Sequence, residues 1–225
     1  MNLRLWTILL ESFPKILLQG IKVTLPLTAV SFLFALIISV IVAMIQYANI
    51  PVLKKICRFY IWLIRGTPLL VQLYVVFYGL PSVGIVLDAW PSAVFVLAFN
   101  EGAYMAETVR GALESIPVGQ VEAGQCVGLS YMQIMWYVVL PQAFKVAFPS
   151  LSNSLIGLLK ETSLATTITI TEMIRQAQII NARYYETLGL YCEVALIYLI
   201  FCTVLTWLQN VIEKRMNAVG GRNDD

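Results

Sequence analysis

An acidic side chain has no cheap place inside an apolar run, and this chain keeps one there. Glu101 stands beside Asn100, eleven residues past Trp90, which is about 16 Å along a helix. A charge near a bilayer centre costs about 2.5–3.5 kcal/mol on insertion scales, so its expected surroundings are a cavity or a partner. Asn100, Tyr104 and Glu107 recur at i, i+4 and i+7 and would share one helix face, as a hydrated path for a polar solute requires. Glu107 also precedes Arg110 by three residues, and an intrahelical ion pair would account for both without any ligand. A second polar set, Asn153, Ser154, Lys160 and Glu161-Thr162-Ser163, marks a helix ending inside the protein, where backbone groups and hydroxyls face a solute. Lys160 with Glu161 would serve equally well as a structural hinge pair.

Bond-making chemistry lacks its parts. There is no histidine, and Cys57, Cys126, Cys192 and Cys202 form no CxxC, so zinc, haem and thioredoxin-type sites have no ligands. Cys192 and Cys202 share one expected helix about 15 Å apart by rise, beyond disulfide reach, and are expected to pack as small hydrophobes. No serine or cysteine has an evident base, which leaves a membrane enzyme without a nucleophile. No metal or cofactor is expected in this chain. A net charge of +2 argues neither for nucleic acid nor for an acidic ligand.

One more segment is patterned in a way apolar packing does not explain. Glu122-Ala123-Gly124-Gln125-Cys126-Val127-Gly128 is polar and Gly-punctuated, and the stretch after it closes at Leu140-Pro141. Such a loop between apolar spans is a candidate docking site for something on the water side.

The elements that must position these residues are membrane helices. Hydrophobic residues make up 59% and charged residues 12% of 225, whereas a soluble domain is roughly a quarter charged. The length allows about five spans with short connections and leaves no room for a soluble ATPase, so energised work would draw on a partner. Val23 to Tyr47 is uncharged and is the clearest span. Phe59 to Leu80 is apolar apart from Arg65-Gly66-Thr67-Pro68 and Gln72, which predicts a helix broken or kinked at Pro68 within the protein. The remaining spans run from Trp90 to about Leu113, from about Gln142 to Leu159 and from Leu188 to Ile212. Lys160 to Thr187 is too polar for a span and too long for a turn.

Met1 to Gln19 is expected as an interfacial segment, apolar at Leu5, Leu9, Phe13 and Ile16, since Glu11, Pro14 and Lys15 interrupt a signal-peptide pattern. With the N-terminus outside, Lys54, Lys55 and Arg58 fall in the first inside loop, Arg110 and Lys145 around the second, and Lys214 and Arg215 after the last span. The division expected is an N-terminal segment at 1–20, a membrane domain at 21–217 containing a cytoplasmic loop at 114–141, and a polar tail at 218–225.

These segments together resemble the permease subunits of ATP-binding-cassette (ABC) importers for polar amino acids. Their cytoplasmic signature, E-A-A, then glycine, then I-x-L-P, is matched in spacing by Glu122, Ala123, Gly128, Leu140 and Pro141; Gly124 stands where alanine is usual and Val138 where isoleucine is common. Arg65-Gly66-Thr67-Pro68-Leu69 with Gln72, Tyr104-x-x-Glu107-x-x-Arg110-Gly111 and Lys160-Glu161-Thr162-Ser163-Leu164 look like further signatures of the amino-acid branch. Arg175-Gln176-Ala177-Gln178 resembles permeases of the cystine group, beside which Glu101 is unusual.

The resemblance implies an all-α, five-span membrane protein of the type I importer permease kind, with the N-terminus outside and the C-terminus cytoplasmic, in a prokaryotic plasma (inner) membrane. It implies a second permease subunit, identical or a paralogue, two cytoplasmic ATPase subunits that bind ATP and Mg, and an external solute-binding protein. The helix around Val121 to Val127 would lie in a groove of the ATPase. Residues 114–140 would form short helices joined near Gly128, where glycine permits a left-handed turn. A self-sufficient ion-coupled transporter or channel is the rival; it would show internal repeats and would leave the docking loop unexplained.

Overall fold

The computed structural model describes residues 3–219; Met1, Asn2 and residues 220–225, most of the expected polar tail, lie outside them. Every regular element among the described residues is a helix, as the chain's apolar runs require: in lipid a backbone must satisfy its own hydrogen bonds. Helix α1 (Leu3–Gln19) passes through a wide π-turn at Gly20–Thr24 straight into α2 (Leu25–Tyr47). Arg4–Tyr47 is therefore one apolar helical run of 44 residues, longer than the span expected from Val23.

The expected second span is two helices. α3 (Pro51–Arg65) stops at Gly66, and α4 (Leu69–Tyr74) restarts after Pro68, whose missing N–H is harmless at a helix start. The bend at this break is 101°, a corner and not a kink. Lys54, Lys55 and Arg58, expected in a loop, lie on α3 instead, because Pro51 at its first turn starts the helix directly after Asn49 and Ile50.

α5 (Ala89–Glu114) is long enough to cross a bilayer but carries Asn100, Glu101, Glu107 and Arg110 along it. After the loop, α8 (Leu140–Glu161) tightens into a 3₁₀ turn, Thr162–Ile168, followed by α9 (Met173–Tyr184) and α10 (Thr187–Val219). Arg4–Tyr47, Tyr131–Ile168 and Thr187–Met216 are long and apolar enough to span, and the bent pair can add a fourth; α5 corresponds to the remaining expected span.

Contacts divide the chain into two units. The first comprises Met1–Leu33, Thr67–Ala98 and Leu155–Trp207. One of its cores gathers Leu27, Leu73, Leu97, Leu158 and Ile168. Another sets Ile8 and Ile16 of α1 against Met173, Ala177, Leu190 and Ile197. The N-terminal segment is thus a helix packed on α9 and α10, with Ile8, Ser12 and Ile16 buried and Leu5, Leu9 and Phe13 only partly so. Ser12 lies on that inward face and its hydroxyl donates to the buried Glu193 carboxyl group, the hydrogen bond a buried polar group needs. The second unit comprises Phe34–Gly66, Phe99–Ser154 and Leu208–Asp225, and its core joins Val42, Cys57, Ile61, Ala103 and Ala106.

Candidate functional site

The 114–141 segment folds as a helical hairpin whose corner is written in its residues. α6 (Val118–Cys126) begins after Pro117. It ends where the Leu129 amide donates to the Gly124 carbonyl at 3.0 Å and the Gly128 amide to the Gln125 carbonyl at 2.9 Å. Gly128 has φ +79°, so this is a Schellman stop, and glycine supplies its left-handed residue without Cβ strain. Ser130 then caps α7 (Tyr131–Ile134): its amide donates to Gln133 Oε1 at 2.8 Å and the Gln133 amide to Ser130 Oγ at 3.4 Å. That reciprocal pair is a capping box. Helix stop and helix start are two residues apart, which fixes the direction in which α6 leaves the chain.

Gly124 is buried in the inner face of the hairpin. A Cβ there would lie 2.8 Å from Ile134 Cγ1, so glycine in place of the usual alanine lets α6 close on α7. Glu122 and Ala123 point outward and are exposed. Around them Val118, Val127, Tyr131 and Met132 are each more than half exposed, an apolar surface of the kind a partner covers.

The second short helix does not end at Leu140-Pro141. α7 runs through a π-turn (Met135–Val139) into α8, with Leu140 and Pro141 as the first residues of α8. The wide turn falls where the Pro141 ring would press on the carbonyl four residues back, the place a proline disturbs a regular helix.

The expected pathway residues occupy unlike surroundings. On α5, Asn100 is 5% and Glu101 8% exposed, while Tyr104 is 43% exposed. The Arg65 guanidinium lies 5.0 Å from the Tyr104 ring centroid, a cation–π contact. Glu107 is bound at 2.7 Å by Arg110, which also holds Glu114 at 2.8 Å. The intrahelical pair therefore accounts for Glu107 and Arg110. Tyr60 ties α3 to α5 by donating to the Phe99 carbonyl at 2.6 Å.

Ser154 is half-buried on α8, and Lys160 is exposed near its end. Glu161 is the last residue of α8; its Oε2 is buried with no hydrogen-bond partner among the described residues. Lys160 and Glu161 form no ion pair among the described residues, so the hinge-pair alternative has no bond behind it. The helix does end where expected: Thr162 is fully buried and its hydroxyl donates to the Leu159 carbonyl at 2.7 Å as the chain tightens. No group of three or more metal-ligating side chains occurs among the described residues.

Two structural sites escaped the sequence reading. The capping box had a local signal, Ser130-x-x-Gln133. Glu172 had none: it is fully buried and accepts from Thr166 Oγ1 at 2.6 Å, the Arg175 amide at 2.9 Å and the Tyr198 hydroxyl at 2.9 Å, drawing on partners up to 26 residues away.

Residues 35–218 match the family described as binding-protein-dependent transport system inner membrane component. The chain is 43% identical over 213 residues to the L-cystine transport system permease protein TcyB of Bacillus subtilis (strain 168), covering 94% of this chain and 91% of that one. It is 36% identical over 206 residues to the probable amino-acid ABC transporter permease protein YckA of the same organism, covering 92% and 91%. The crystal structure of an amino acid ABC transporter with histidines is similar with a TM-score of 0.86 at 31% identity, over 96% of this chain and 100% of that one. The helical architecture with its broken second span is that of a type I ABC importer permease, and the chain belongs to the family of inner membrane components of binding-protein-dependent transport systems.

Proposed function

We propose that this permease carries a polar amino acid, cystine first among the candidates, into the cytoplasm by alternating access driven by ATP hydrolysis on a partner. The observation that carries the coupling is the exposed hairpin: Glu122 and Ala123 project from a helix whose exit is fixed by the Gly128 stop and the Ser130 cap. A helix held so rigidly at its base transmits a push to α8, into which its partner helix runs without a break. Two cytoplasmic ATPase subunits, holding ATP and Mg, dock on this hairpin and its counterpart in a second permease subunit, identical or a paralogue. Gly124, Leu140 and Pro141 shape the hairpin for that contact. An external binding protein delivers the solute, the N-terminus lies outside, and the membrane is a prokaryotic plasma (inner) membrane. The likeness to TcyB and the Arg175-Gln176-Ala177-Gln178 segment support cystine.

An amino acid brings an ammonium and a carboxylate, so its path needs acidic and donor groups. On the path we assign, Asn100 and Glu101 of α5 supply one pair of donor and acidic groups and Ser154, Lys160 and Glu161 of α8 another, with Tyr104 and Glu107 further along α5. Transport follows only if affinity differs between outward and inward states. The test is cystine uptake, with competition by other amino acids, in vesicles carrying the full complex. Unchanged apparent affinity and rate in both Glu101→Gln and Glu161→Gln would remove the assigned path, and solute flux through the isolated chain would remove the coupling.

A further inference from the structure

One cleft in the second unit has no part in the proposed transport path beyond Glu107. It encloses about 340 Å³, within the range of small-ligand sites, about 300–1,000 Å³. Its walls carry Lys54, Arg58, Arg65 and Arg110 against Glu107 and Glu114, an excess of two positive charges. Both carboxylates are taken up by Arg110. Lys54 Nζ donates to Asn49 Oδ1 at 2.7 Å, which leaves two of its three hydrogens. Arg65 rests on Tyr104, and Arg58 makes no hydrogen bond or ion pair among the described residues. A polar cleft with unspent cations calls for an anion, and guanidinium groups match phosphate oxygens best.

The same helix says which anion. α3 buries Cys57 and Ile61 and turns Val52, Ile56, Phe59 and Leu63, at i, i+4, i+7 and i+11, outward as an exposed apolar stripe. Trp62 joins the two surfaces: it lines the cleft, is 69% exposed, and its ring centroid lies 5.7 Å from that of Phe59. A soluble anion has no use for such a stripe, whereas a lipid has both a charged head and chains to lay along it. Trp and basic side chains flanking an apolar helix face are the pattern of the membrane–water interface.

We infer that this cleft holds the phosphate headgroup of an anionic glycerophospholipid, with Arg58 as its free cation and the Phe59–Trp62 edge of α3 carrying the acyl chains. This goes beyond the transport reading and does not depend on the solute.

The test is native mass spectrometry of the purified permease–ATPase complex exchanged into phosphatidylcholine and titrated with phosphatidylglycerol. The wild type retains phosphatidylglycerol in preference to phosphatidylcholine. Arg58→Ala weakens that retention about tenfold or more, the factor that losing one hydrogen bond to a charged group represents. Lys55→Ala, on the same helix but outside the cleft, leaves it unchanged. Because Arg58 has no partner to lose among the described residues, its variant should keep the wild-type thermal midpoint. Equal losses in both variants would reduce the effect to general surface charge, and wild-type retention in Arg58→Ala would empty the cleft of its role. Displacement of the lipid by millimolar inorganic phosphate would make the ligand a free anion. Each of these three results overturns the inference.

Discussion

Gly119 and Gly128 lie at the two ends of the docking hairpin's first helix, and a methyl group added at either meets no atom within 4 Å. Sterics therefore cannot distinguish Gly119→Ala from Gly128→Ala. Backbone conformation does, because of the two only Gly128 has a positive φ, +79°. An L-residue in that region costs about 1–2 kcal/mol, whereas alanine for glycine inside a helix gains about 0.5–1 kcal/mol. The two variants should therefore differ by about 1.5–3 kcal/mol in the stability of the hairpin. Hydrogen exchange on the assembled complex reads this directly at Leu129, whose amide closes the stop on the Gly124 carbonyl. Protection in Gly128→Ala should fall about 5–30-fold below wild type, the factor that 1–2 kcal/mol represents. Gly119→Ala should match or exceed wild type, and Gly128→Asn should fall between, since asparagine tolerates the left-handed region. If the hairpin couples ATP hydrolysis to transport, Gly128→Ala should also lower the solute transported per ATP while the membrane helices keep their protection. Equal protection in the two alanine variants would refute the turn argument, and unaltered coupling in Gly128→Ala would refute the hairpin's role.

Ser130→Ala should cost about 0.5–2 kcal/mol, the usual loss of an N-cap, seen as faster exchange at the Gln133 amide. Adding Gln133→Ala should cost less than the sum of the single changes, because the box is reciprocal. Glu172→Ala leaves the Thr166 hydroxyl, the Arg175 amide and the Tyr198 hydroxyl without their acceptor. The three bonds are part-buried, so at the lower end of about 1–3 kcal/mol for each orphan Glu172→Ala should lower folded yield and thermal midpoint further than Glu172→Gln, which keeps a carbonyl acceptor. Wild-type yield and midpoint in Glu172→Ala would show that the three bonds carry no stability.

What the sequence settled by itself lies within a few residues of its cause. Apolar runs must be helices where no water can satisfy the backbone, so the helices through 23–47, 90–113 and 188–212 were legible, although Glu101, Glu107 and Arg110 interrupt the second and Glu193 the third. So was the interruption at Gly66-Thr67-Pro68, because proline removes a donor and crowds the preceding turn. Gly128 announced a left-handed turn, and Ser130-x-x-Gln133 carried a helix start that spacing alone would have revealed.

Tertiary structure decided whatever depends on which distant group arrives. The partner of the buried Ser12 on α1 is Glu193, 181 residues away. Asn100 and Tyr104 shared a helix face on paper, yet Asn100 went into the interior and Tyr104 stayed exposed beneath Arg65 of α3. The sharpness of the corner at Pro68, the fit of Gly124 against Ile134 and the meeting of Arg58, Arg65 and Arg110 around one cleft are likewise absent from any local pattern. Helix limits and turns are set by backbone preferences a few residues wide; the fate of a buried polar side chain is set by the partner that pays its desolvation, and only the folded chain chooses that partner.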